Sequence, residues 1–155
     1  MIAASLYEWL VFLHVLAAMI WVGGAVVLGA MATVVVRSGE PEAVARFIAG
    51  LRTIGPLVLA PATLAVLGLG VWMVLDSDAW TFGQLWLELA LGVFAAAFLI
   101  GAVHQSRSAL AAERAAGQGD HGEALRQLRR WSWGYRVIVL LLIVAAWDMV
   151  MKPGL

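Results

Sequence analysis

Four long apolar stretches, separated by short gaps, constrain this chain more than any other feature of its sequence. The first three cover about residues 8–36, 55–75 and 82–106, and each exceeds the roughly 20 residues that cross about 30 Å of hydrocarbon. The fourth stretch, about residues 133–151, crosses the bilayer if Arg136 reaches the head groups on one side and Asp148 reaches the opposite interface. Because backbone polar groups in lipid must bond internally, each stretch is predicted to be a helix. We therefore predict an all-α fold: one integral membrane domain over residues 1–155, with four transmembrane helices in a bundle.

The composition narrows the partners and the chemistry. Hydrophobic residues make up 63% of the chain and charged residues 13%, against about 25% charged residues in a soluble domain. Ten basic residues balance ten acidic ones, and there is no basic run of the kind that binds nucleic acid. Cysteine is absent, which excludes disulfides, thiolate catalysis, iron–sulfur clusters and cysteine-ligated zinc. The predicted partner is the lipid bilayer, with no nucleic acid.

The basic residues predict the orientation. All nine arginines fall in or next to the first and third gaps between the apolar stretches, and Lys152 alone lies near the C-terminus. The positive-inside rule then places these two gaps in the cytoplasm and both termini outside. The predicted location is a cytoplasmic membrane, crossed several times. The arginines are Arg37, Arg46, Arg52, Arg107, Arg114, Arg126, Arg129, Arg130 and Arg136.

The two arginine-rich gaps also carry helical patterns. Pro41 suits the first turn of a helix, and the apolar residues that follow recur at helical spacing: Val44, Phe47, Ile48 and Leu51. In the third gap, Asp120 and Glu123 resemble a capping box, and Leu125, Leu128 and Trp131 follow on one side. We predict amphipathic helical extensions on the cytoplasmic side that run into spans two and four. They act at the membrane surface, or they are plain solvated extensions of the spans.

Ionisable residues inside the apolar stretches are the first candidates for function. His14 and Glu88 fall in the outer half of the bilayer, and Glu8 and Asp148 lie at the same side. Together they predict an outward-facing polar pocket that relays protons or binds a cation. The alternative for Glu8 and Asp148, which we favour, is an interfacial position in contact with water. The alternative for His14 is a hydrogen bond to a neighbouring helix without any ligand.

A metal site and packing faces are further interpretations. Imidazole and thioether are suitable ligands for Cu(I), so His14, Met19 and Met73 form a candidate copper site, although methionine is also a common filler of apolar contacts. Small residues at helical spacing predict close helix packing, within the chain, in a homo-oligomer or with a membrane partner subunit. They are Ala25, Gly29 and Thr33 in the first stretch and Ala97 and Gly101 in the third.

Several short motifs resemble a known group of proteins. The first stretch contains Leu13-His14 followed by Trp21-Val22-Gly23-Gly24. This pattern resembles the first-helix signature of a superfamily of small bacterial membrane bundles, which includes the membrane domain of copper-resistance protein D and the membrane-embedded protoporphyrinogen oxidase. The later motifs look like an uncharacterised branch, a predicted integral membrane family catalogued as a domain of unknown function. They are Gly55-Pro56 with Pro61, residues 70–75 (GVWMVL) and residues 82–86 (FGQLW).

The resemblance implies a role for the first-helix motif. By analogy with the oxidase relatives, His14 is the position that binds haem b, with Trp21 and Gly24 in the same motif. By analogy with the copper-resistance relatives, histidine and methionine handle copper. Three functional hypotheses follow: a haem-binding or redox membrane protein, a copper-binding or copper-uptake protein, and a non-catalytic membrane subunit.

Overall fold

The computed structural model describes residues 5–155, which form six α-helices and two short π-helical segments. We number the α-helices in chain order and call the π-helical segments π1 and π2. Two pairs of α-helices are each joined into one continuous rod by a π segment. The elements are α1 (Leu6–Ser38), α2 (Pro41–Ile54), π1 (Gly55–Leu59), α3 (Ala60–Leu75), α4 (Leu85–Leu99), π2 (Ile100–Gln105), α5 (Ser106–Gly117) and α6 (His121–Met151).

Four continuous rods are long and apolar enough to cross a membrane, which confirms the predicted all-α, four-helix architecture. Each contains 31 to 35 residues, or about 47–53 Å at 1.5 Å per residue. Since the hydrocarbon core is about 30 Å thick, every rod extends beyond it. The third rod begins at Leu85 rather than at residue 82, because residues 81–84 form a turn.

The amphipathic extensions are the parts of the rods that project beyond the apolar stretches. In α2 the predicted apolar face is buried: Val44, Phe47, Ile48 and Leu51. At the start of α6, the Asp120 side chain accepts a hydrogen bond from the Glu123 backbone N–H at 2.9 Å, as the capping pattern predicts. Leu128 and Trp131 are buried on the following turns. The sequence did not predict α5, an alanine-rich helix that continues the third rod after residue 106.

The rods are arranged so that one seam stays open. α1 packs against α3 and α6, and α4 packs against α6, whereas α3 and α4 make at most marginal contact with each other. The order around the bundle is therefore α3, α1, α6, α4. We call the end that carries α2, α5 and the start of α6 the arginine-rich end. The other end, which carries Ser5, the 76–84 loop and Leu155, is the terminal end.

Aromatic side chains close the terminal end. The Trp80 indole N–H donates to the Tyr7 hydroxyl at 3.0 Å, and the Trp80 and Trp86 rings meet edge to face with centroids 5.3 Å apart. The Lys152 ammonium lies 3.9 Å from the Trp80 ring centroid and 5.4 Å from that of Trp86. Such cation–π contacts contribute about 0.5–2 kcal/mol each, depending on desolvation. The loop between α3 and α4 is thereby tied to both α1 and the end of α6.

Prolines account for the first π segment. Pro56 and Pro61 carry no N–H, so the carbonyls of Arg52 and Leu57 lose their ordinary helical donors. A π turn changes the register of the hydrogen bonds at this point, and the Ala60 N–H donates to the Gly55 carbonyl. The register shift over Gly55–Leu59 therefore contains Pro56 and ends just before Pro61. No proline lies in π2, which is Ile100–Gln105.

The second π segment packs on a glycine of α6. A Cβ built on Gly134 would lie 2.6 Å from Cδ2 of His104 and 3.0 Å from Oε1 of Gln105. His104 also approaches the Arg130 carbonyl, with 3.3 Å between Nε2 and the oxygen. Gly134 is thus the point where α6 makes room for two consecutive side chains of π2.

We expect Gly134→Ala to destabilise the protein. The added methyl group has no space, and overpacking of this kind costs about 1–3 kcal/mol. Thermal unfolding of the detergent-solubilised protein measures the loss. Gly92→Ala in α4 is the matched control, because its Cβ would meet no atom within 4 Å, and a helical Gly→Ala change is favourable by about 0.5–1 kcal/mol. Equal midpoints for the two variants would contradict this packing.

Candidate functional site

A groove lies along the open seam at the arginine-rich half of the bundle, with a cavity volume of about 680 Å³. We call it the seam groove. Its walls are π1 with the start of α3 on one side and the end of α4 with π2 and α5 on the other, and its floor is formed by α1 and α6. Side chains typical of each wall are Leu59, Thr63, Phe98, Gly101 and Leu110, and those of the floor are Trp21, Leu28, Trp131, Tyr135 and Ile138.

Gln105 is the polar side chain that stands out in this groove. It is only 5% exposed, and neither its amide nitrogen nor its amide oxygen has a hydrogen-bond partner within the described residues. A buried amide without partners costs about 1–3 kcal/mol by mutational measures. The cost is removed when a ligand supplies one acceptor and one donor. Gln105 therefore marks the place in the groove where a polar group would bind.

The charges at the groove cancel. Arg52 and Glu113 both line it, and they pair with each other, with 2.9 Å between the guanidinium nitrogen and the carboxylate oxygen. This pair links α2 to α5 at the arginine-rich end. Thr63 is also satisfied, because its hydroxyl donates to the Leu59 carbonyl at 2.8 Å. The groove is thus lined mostly by apolar surface, with the unpaired Gln105 amide buried in its wall and its one ion pair compensated.

Both π segments of the described chain border the seam groove, one on each wall. Gly55, Pro56 and Leu59 contribute from π1, and Gly101 and Gln105 contribute from π2. Single π turns inside α-helices occur frequently at functional sites. In π2, His104 and Gln105, adjacent in sequence, both pack at Gly134.

His14 lies outside the groove, at the interface of α1 and α3. Cε1 of its ring is 3.2 Å from the Cβ position of Gly70, and the Val66 carbonyl is close to the ring. Nδ1 is buried and makes no hydrogen bond of good geometry within the described residues. The groove residue nearest on this helix face is Trp21, about 10 Å further along α1. A group bound to His14 would therefore not occupy the seam groove.

The acidic residues of the predicted polar pocket are in three different settings. Glu8 is exposed and forms a capping box with Ser5 at the start of α1. Glu88 is exposed in the first turn of α4, where the helix dipole favours a negative charge. Asp148 is only 1% exposed, and neither carboxylate oxygen has a partner within the described residues. The contact with water that we favoured for Asp148 is therefore not found, because its side chain is buried.

Two of the candidate metal ligands, His14 and Met19, lie on different faces of α1. Within residues 5–155, no group of three or more His, Asp or Glu side chains is arranged to hold a metal ion. Met19 is 67% exposed on the outside of α1, about 140° around that helix from His14. Trp21 is buried and meets the Phe94 ring edge to face, at a centroid distance of 5.5 Å. A Cβ on Gly24 would lie 2.7 Å from Cδ2 of Leu59, so Gly24 serves the close approach of α1 and π1.

The sequence reasoning missed Gln105, although a signal was present. Ionisable residues inside the apolar stretches were the first candidates for function, and glutamine carries no charge. Glutamine lies inside the predicted third span, where any polar side chain needs a partner. Its unpaired state follows from the open seam, which the sequence does not reveal.

Comparison with known proteins identifies the family. The family model described as predicted integral membrane protein (DUF2269) matches residues 8–153. No curated protein and no solved structure matches the chain. Since the matched region covers nearly the whole sequence, the chain belongs to this family of integral membrane proteins.

Proposed function

For this member of the DUF2269 family we propose a function as a membrane-embedded binding protein, which takes a neutral amphiphilic molecule from the bilayer into the seam groove. The unpaired, buried amide of Gln105 is the observation that carries this proposal. The volume of about 680 Å³ lies within the range of about 300–1,000 Å³ for small-molecule sites. Such sites are mostly apolar with a few placed polar groups, as here.

The chemistry of the walls selects the head group. An amide offers two N–H donors and one carbonyl acceptor, so Gln105 pairs best with a head that carries both a carbonyl and a hydroxyl, or an amide. A charged head would find no counter-charge, because Arg52 and Glu113 already neutralise each other. We therefore infer a neutral hydrogen-bonding head group on an apolar body.

The open seam sets the position of the ligand's apolar part. Gln105 lies near the arginine-rich end, and the groove continues from it to Ala97 and Trp21, about 12 Å deeper toward the bundle centre. Because α3 and α4 do not close on each other, an apolar chain in the groove stays in contact with the surrounding hydrocarbon. The ligand thus enters sideways from the bilayer, with its head at Gln105 and its tail along Phe98.

This proposal predicts that a neutral lipid copurifies with the protein at about one molecule per chain. Substitutions that fill the groove or remove its amide should lower the amount of bound lipid. Gly101→Phe fills the groove, since Gly101 lines it and a Cβ there meets no atom within 4 Å. Gln105→Leu removes the amide, and losing one to two such hydrogen bonds lowers affinity about tenfold or more. Solvent extraction followed by mass spectrometry counts the bound lipid.

Gly92→Phe is the matched control, an exposed glycine on the same rod whose Cβ also meets no atom within 4 Å. It should keep the lipid. Gln105→Leu should also unfold at a higher temperature than lipid-free wild type, because its unpaired amide is gone. The same lipids in all four proteins would contradict the proposal. So would a dimer that dissociates in Gly101→Phe, since the groove would then be an interface between copies.

We also propose that the arginine-rich end faces the cytoplasm of a bacterial cell, with both termini outside. The asymmetry is strong for arginine: eight lie at that end and the ninth, Arg136, lies half way along α6, whereas only Lys152 lies at the other end. Alkaline phosphatase fused to the C-terminus should be active, and fused within the turn at residues 118–120 it should be inactive. The reverse pattern would contradict this orientation.

Haem b ligation by His14 remains a second candidate function, because Nδ1 of this histidine is buried without a hydrogen bond. If haem is bound there, the ring would supply an axial nitrogen and the iron the redox chemistry. The described packing leaves little room: the ring lies against Gly70, so α1 and α3 would have to part.

This candidate predicts a Soret band in protein expressed with ample haem. His14→Ala should abolish the band, whereas His121→Ala, at the exposed start of α6, should keep it. A colourless wild-type protein, or a band that survives His14→Ala, would end the candidate. Neither result bears on the seam groove, since His14 does not line it.

A further inference from the structure

Three arginines from two helices converge at the arginine-rich end, on a face of the bundle away from the seam groove. Arg37 ends α1, and Arg129 and Arg136 lie two turns apart on α6. They line a small cavity of about 80 Å³ between the helices. Its other walls are Thr33, Val36, Ser132 and Trp133. We call this set the arginine site.

The helical spacing explains why these side chains meet. On α6, Arg129, Ser132 and Arg136 follow at i, i+3 and i+7, so they share one face. On α1, Thr33 and Arg37 follow at i and i+4. Because α1 and α6 pack along their length, the two polar faces border one cavity. Arg136 reaches across it toward Thr33, with 3.5 Å between Nη2 and Oγ1.

The positive charge at this place is not compensated within the described residues. The ion pairs there involve Arg46, Arg52 and Arg126, and none includes an arginine of this site. No acidic side chain lines the cavity. Guanidinium groups stay protonated, so three charges of one sign face the same space. An anion would relieve their repulsion and satisfy their donors.

We propose that the arginine site binds the phosphodiester head group of an anionic phospholipid. Guanidinium forks match phosphate oxygens in geometry and charge, and basic pockets between transmembrane helices bind anionic lipid head groups. A volume of about 80 Å³ exceeds the roughly 10–15 Å³ that one water needs. The Thr33 and Ser132 hydroxyls lie beside the same cavity as further partners.

The surroundings favour a lipid over a free phosphate ion. Trp133 is 68% exposed next to the cavity, a typical position for a tryptophan at the membrane interface. Below the site, toward the bundle centre, exposed apolar side chains continue on both helices. Val26 lies seven residues before Thr33 on α1, and Leu140 lies four residues after Arg136 on α6. Acyl chains attached to a bound phosphate would lie along this surface.

The test compares lipids and variants in detergent. We expect dioleoylphosphatidylglycerol to raise the unfolding temperature, and native mass spectrometry to detect it bound, while dioleoylphosphatidylcholine and inorganic phosphate at equal concentration have little effect. The triple change Arg37→Gln, Arg129→Gln and Arg136→Gln should weaken phosphatidylglycerol binding at least tenfold, because each arginine near the membrane surface adds to the attraction of an anionic lipid. Arg46→Gln, Arg107→Gln and Arg114→Gln remove the same charge elsewhere and should keep the binding.

Arg136→Lys is a second test that remains informative if the triple variant does not fold. It keeps the charge but loses the fork, so we expect several-fold weaker binding in a protein of wild-type stability. Three results would overturn the proposal: equal stabilisation by phosphatidylcholine, equal stabilisation by inorganic phosphate, or equal loss in the control triple variant. The second would indicate a site for soluble phosphate, and the third a general attraction between charges. None of them tests the seam groove, because the two sites share no lining residue.

Discussion

Hydrogen bonding of the backbone in hydrocarbon is the constraint on which this structure depends. Lipid offers no partner to an exposed N–H or C=O, so each crossing must satisfy its own backbone as a helix. Pro56 and Pro61 break that rule locally, since both lack the donor that an α-helix needs. The chain absorbs them in a π turn at Gly55–Leu59. The irregular backbone lies beside the seam groove.

The groove exists because the bundle is held together at its two ends and along only three of its four seams. At the terminal end, Trp80 and Lys152 tie the α3–α4 loop to the rest. At the other end, Arg52 and Glu113 join α2 to α5. Between these ties α3 and α4 diverge. Small residues allow the closed seams to approach, as Gly134 does between α6 and π2, and a binding volume remains where no comparable approach exists.

Much of the fold could be predicted from hydropathy, because the requirement for about 20 apolar residues per crossing is strict. The apolar face of α2 also followed from local spacing. The site could not be predicted in the same way. Gln105 is uncharged, and its lack of partners is a property of the open seam rather than of its neighbours in sequence. The burial of Asp148 likewise depends on how the end of α6 packs. The arginines illustrate the same limit: their distribution predicts a side of the membrane, whereas the convergence of Arg37 with Arg136 depends on the α1–α6 contact.

The two proposed sites differ in chemistry because their surroundings differ. Charge is costly in hydrocarbon and cheap at the head groups, and the guanidinium of Arg136 can reach the interface while its stem crosses apolar surface. A charged head group can therefore be held beside Arg136. Gln105 is buried in the mostly apolar lining of the seam groove, where an unmatched charge would be far more expensive than an unpaired amide. A neutral head group is the partner that such a position accepts. Both proposed sites lie toward the arginine-rich end, whereas the terminal end is closed by aromatic rings, so the two proposals direct binding to one leaflet.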